Sequence, residues 1–155
     1  MGAVAVVVSL LYVGTQLHQA NKQLQRQENN ATESEWQSIR LLMASDRGVA
    51  QLWLAGLDDK LPDAVDQLRF QNLMSEHFWV TFHIWDRVRL GIFAPGDFWN
   101  GAAMPLAQWL CTPGGEAWWS QRKATYPITF VHDMDTTMRR FASSSKVHCP
   151  AHAGG

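Results

Sequence analysis

Glu76, His77 and His83 sit in one apolar stretch, EHFWVTFH, and their types suit acid–base or metal chemistry. Their spacing limits what they can do. His77 and His83 are six residues apart, which on a helix turns them about 120° from each other. They cannot share a metal as an i, i+4 pair would. Glu76 and His83 are seven apart and fall on one stripe, where a carboxylate and an imidazole two turns apart can build a buried polar site. The plainer reading, an interhelical hydrogen bond or a surface position, is favoured. The Glu-x-x-His pattern of di-iron bundles is missing, because Trp79 stands where that histidine belongs.

A second group lies late in the chain. His132, Asp133 and Asp135 form HDMD, and His148, Cys149 and His152 follow in HCPAH. These are zinc-ligand types, but the spacing matches no finger. Solvated acids and a mobile tail are expected instead. His18, just past the apolar opening, is the type that can ligate a haem or a chlorin magnesium, but it has no partner pattern. No nucleophile elbow, Walker loop or dinucleotide fingerprint occurs. TPGGEAWW lacks the Lys and Ser/Thr of a phosphate loop, and the serines 143–145 form only a polar exit. No catalytic, cofactor-binding or metal-ligating residue is therefore assigned, and no enzyme is expected. With a net charge of −1, no basic field points to nucleic acid.

The elements that would position these groups all read as helices, and no useful β-alternation appears. The expected class is all-α: one N-terminal transmembrane helix (1–17), a helical extension (18–45), a small helical bundle (46–142) and a flexible tail (143–155). The opening MGAVAVVVSLLYVGTQLHQ carries no charge. It falls short of the ~20 apolar residues of a comfortable span, yet no basic lead or small-residue cleavage site marks a signal peptide. An apolar helix buried in a bundle is the second choice. Val4, Val6, Val7, Val8, Leu10, Leu11, Tyr12 and Val13 are the expected anchor. Gly2, Ala5 and Ser9 would let another membrane helix approach closely. Lys22 and Arg26 follow the run, which by the positive-inside rule puts the C-terminal domain in the cytoplasm.

Further on, ENNAT (28–32) favours a kink or break. Asp46 can cap a helix whose apolar face is Val49, Leu52, Trp53 and Leu57, with Gly56 at its end. Pro62 suits the first turn of the next helix, about 63–90. There Phe70, Leu73, Met74, Phe78, Phe82, Trp85 and Val88 recur at helical spacing, and Gly91 stops it. Asp97 can cap a helix bent by Pro105. After CTPGG a short helix (116–123) carries Trp118 and Trp119, and a last helix (128–141) turns Phe130, Val131, Met134 and Met138 inward. Adjacent tryptophans are not expected to share one core, so one of Trp118 and Trp119 is a candidate partner contact. Eight tryptophans is a high load for 155 residues, and Trp favours cores, protein interfaces and membrane boundaries. Cys111 and Cys149 form no close pair. Two free thiols are favoured over one long-range disulfide.

Several segments together resemble a widespread group of small bacterial proteins of unknown function. VVVSLLYVGTQLHQANKQL is similar to that family's N-terminal membrane helix. DRGVAQLWLAGLDD, LRFQNLM, RLGIF and TPGGEAWW resemble its D-x-x-x-A-x-x-W-x-x-G, R-F, G-hydrophobic and T-P-G-G-x-x-x-W segments, in the same order. The resemblance covers about Val6 to Trp119 and implies a membrane-anchored helical domain in the bacterial inner membrane. It carries no catalytic residues. Family members usually have a further lead before the apolar run, so the start here is expected to be shortened or Met1 not to be the natural start. The expected function is that of a non-enzymatic accessory or structural subunit, with membrane lipids and other integral membrane proteins as partners. A membrane-anchored small-molecule binding or sensory module comes second, and an enzyme using Glu76, His83 or the HDMD acids third.

Overall fold

The structure, a computed structural model, describes residues 2–145 and Cys149. The side chains of residues 2–9, 11, 24, 25, 28, 29 and 31–33 fall outside that description. The described residues are helical, without strands: α1 Gly2–Ser45, α2 Arg47–Leu57, α3 Ala64–Arg89, α4 Ala103–Leu110, α5 Pro113–Arg122 and α6 Ile128–Ser145. The all-α expectation holds. The chain divides into two compact units, residues 1–37 and 38–155.

The first unit is helix α1 as far as Gln37. The expected break at ENNAT is absent, and α1 runs unbroken to Ser45. Asn is only a mild helix opponent, and its neighbours there include Glu and Ala. Among the described residues no helix is long and apolar enough to cross a membrane. The apolar run gives way to Thr15, Gln16, His18 and Gln19 before it reaches that length.

The second unit is built around α3. Asp63 caps it, accepting the amide N–H groups of Val65 and Asp66, so Pro62 lies just outside the helix rather than in its first turn. Met74, Phe78, Val80, Ile84 and Trp85 are buried, and Gly91 takes φ 72° where the chain turns away. Asp46 caps α2 through the amides of Gly48 and Val49, as its position predicts. Gly56 does not end that helix. Asp59, at φ 56°, adopts the left-handed conformation after it, while Gly56 is buried inside.

Two close approaches account for this: the Phe70 ring of α3 lies against Gly56, and α5 crosses α2 with Gly114 against the Gly56 carbonyl. A Cβ on Gly114 would overlap the carbonyl oxygen of Gly56, one on Gly115 would overlap that of Trp109, and one on Gly56 would strike the Phe70 ring. The glycines of LWLAG and TPGG are therefore one joint, with Thr112 capping α5 and Pro113 at its start. α5 begins at Pro113, earlier than expected.

Asp97 is not a helix cap. It opens a π-helical turn, Asp97–Ala102, and its carboxylate accepts the Ala94 amide. The wide turn hands over to α4 ahead of Pro105, which has no N–H to give. α4 packs on α6. Helix α6 runs to Ser145, past the expected end, and Cys149 is bonded to Cys111, closing 38 residues of sequence. The expected free thiols and loose tail are thus corrected at these positions. The fold brings Cys111, just past α4, and Cys149 together, a proximity that sequence separation hides.

Candidate functional site

The HDMD acids turn out to hold tryptophans. Asp133 accepts the indole N–H of Trp85 at 2.8 Å, and Asp135 accepts that of Trp119 at 3.2 Å. Both rings are buried, so each carboxylate satisfies a donor that would otherwise be stranded in the core. His132 points to solvent. The acids are therefore not the solvated face expected from sequence.

The groups on α3 also part company. His77 is 1% exposed, and its Nδ1–H donates to the Leu73 carbonyl at 2.8 Å. Its ring lies between Trp53, at 4.9 Å, and Trp109, edge-on at 4.7 Å. Burial holds its pKa below the usual histidine value, with the Leu73 bond acting weakly the other way. His83 stands half-buried, edge-on to the exposed Trp79 at 4.5 Å. Glu76 lies on the rim of an open, largely apolar groove of about 300 Å³, with Leu42, Val49, Leu52, Arg69, Asn72 and Leu73. Each acid or imidazole thus has its own surroundings. The stripe pattern paired Glu76 with His83, whereas the more deeply enclosed imidazole is that of His77, off that stripe.

The core beside α3 is filled. Phe78 meets Trp118 at 4.7 Å, Trp119 at 4.8 Å and Tyr126 at 5.3 Å. Trp118 and Trp119 are both buried, at 5% and 0% exposure. The expectation that one of them faces a partner is corrected. Residues 100° apart on a helix can both be inside when the helix is covered from several sides, and α5 meets α2 and α4 while Trp119 reaches Asp135 of α6. The Trp118 indole nitrogen is buried without a hydrogen-bond partner.

Among the anchor residues, Leu10, Tyr12 and Val13 are exposed, as is Leu17 beyond them. The side chains of Val4, Val6, Val7, Val8 and Leu11, and those of the candidate contacts Gly2, Ala5 and Ser9, lie outside the described residues. So do His148 and His152. Among the described residues no His, Cys, Asp and Glu group could hold a metal ion, and the Cys149 sulfur is committed to Cys111. No family model, curated protein or solved structure matches the chain.

Proposed function

We propose that the chain is a non-catalytic, membrane-anchored helical protein that acts as an accessory subunit of a membrane protein complex. The observation that carries this reading is α1: one unbroken helix whose early residues Leu10, Tyr12, Val13 and Leu17 leave apolar side chains uncovered and then passes directly into polar sequence. Apolar side chains on such a helix need lipid or protein around them. The bundle supports the reading from the other side, because Asp133, Asp135 and His77 are occupied in packing. The resemblance to the bacterial membrane family belongs to the same proposal.

Membrane side is part of the proposal too. Lys22 and Arg26 favour a cytoplasmic domain, a bias of two charges with Glu28 close by. The Cys111–Cys149 bond favours a compartment without a thiol-reducing pool. The covalent pair outweighs the charge bias, so the bundle is assigned to the non-reducing side. Fractionation tests the anchor: the chain stays with membranes through an alkaline carbonate wash, and release into the supernatant would refute it. Mild-detergent purification tests the subunit role: other membrane proteins accompany the chain, and a preparation containing this chain alone would count against it.

The apolar groove beside Leu42 and Leu73 favours a second reading, a small-molecule binding module. A Leu73→Arg variant that loses binding of an apolar fluorophore while keeping its melting temperature would support that reading.

A further inference from the structure

Helix α1 carries a seven-residue repeat that continues past the apolar opening. Positions 3, 10, 17, 24 and 31 are Ala, Leu, Leu, Leu and Ala, and the positions three further on, 6, 13, 20 and 27, are Val, Val, Ala and Gln. This is the a/d spacing of a coiled coil, alternating steps of three and four. All of these residues lie in the one helix Gly2–Ser45. Where side chains are described the seam is uncovered: Leu10 is 66% exposed and Leu17 61%, and Val13, Ala20 and Gln27 are exposed as well.

We propose that this seam is filled by the same seam of further copies of the chain, lying parallel. Lipid alone does not account for it, because Ala20, Leu24 and Ala31 keep the register inside a segment rich in Gln, Asn and charge. A strict 3.5-residue repeat is what two supercoiled helices share, since it keeps one narrow stripe facing the partner along the whole length. The flanks fit a parallel arrangement. Residue 16 would face residue 21 of the neighbouring copy, 23 would face 28, and 30 would face 35. These pairs are Gln–Asn, Gln–Glu and Asn–Glu, none of them like-charged. Lys22 and Arg26 fall at outer positions of the repeat. Gln27 at d would fix the register at some cost in stability. The inference stands whether or not the residues before Leu17 enter a bilayer.

Single cysteines in the full chain test it, because the native pair is already bonded to itself. Under mild oxidation Leu17→Cys and Leu24→Cys give a product of twice the 17.5 kDa chain mass, while Lys22→Cys and Asn29→Cys, on the outer face, do not. Absence of that product at positions 17 and 24 overturns the proposal. So does equal linking at all four sites, or linking only to a different protein. Light scattering in detergent gives the second reading: a multiple of the chain mass, reduced to a single chain in the Leu17→Asn, Leu24→Asn double variant with the near-ultraviolet signal of the tryptophan core retained. A double variant that keeps the multiple mass also overturns it. A chain that pellets with membranes yet links at neither seam position refutes the seam and leaves the anchor standing.

Discussion

Asp133 shows how a residue can look like chemistry and serve as structure. Its carboxylate is the partner of an indole 48 positions earlier, and nothing local in HDMD announces a donor so far away. Asp133→Ala strands the Trp85 N–H in a buried site, and chemical denaturation is expected to show a loss of about 1–3 kcal/mol. Asp133→Asn, which keeps an accepting oxygen, loses much less. His77 makes a different prediction. Its folded-state pKa is pushed below 6.5 by burial, so the unfolded chain takes up a proton more readily than the folded one. Its contribution is complete above that value and is lost as pH falls through about 6.5 toward the lower folded-state value. Urea midpoints measured from pH 7.5 to 5 therefore fall with pH, and a His77→Gln variant falls less steeply. The apolar neighbours of His77 were legible from α3's period. The ring's enclosure was not, since Trp53 and Trp109 come from other helices.

At the scale of elements, end signals with local chemistry were readable. Asp46 and Gly91 act where they stand, because a cap or a left-handed turn is decided by a few adjacent residues. Gly56 and Gly114 were misjudged for the opposite reason: a glycine reads as a stop until the helix crossing it is known. Gly114→Ala places a methyl group against the Gly56 carbonyl, and thermal or urea unfolding is expected to lose about 3 kcal/mol or more. Gly14→Ala, with nothing within 4 Å of the added carbon, instead gains up to about 1 kcal/mol of helix preference. The two Trp of α5 were misread similarly, since helix rotation alone counts one covering neighbour and this short helix has several.

For the whole molecule, class and helix order followed from periodicity, whereas the covalent closure did not. Cys111 and Cys149 enclose a 38-residue separation. By loop-closure entropy their bond confers about 3–4 kcal/mol. Removing it with a Cys111→Ser, Cys149→Ser double variant is expected to lower the urea midpoint accordingly, and added reductant is expected to do the same to the native chain. The glycine joint reaches across a still longer stretch, from α2 to α5, and has a bearing on motion. Two helices in backbone contact have no side-chain cushion between them that could slacken while they stay docked. Amide hydrogens near Gly56 should therefore exchange with solvent at the same slow rate as those in the interior of α5. The two helices would open as one unit, although more than fifty residues of chain lie between them.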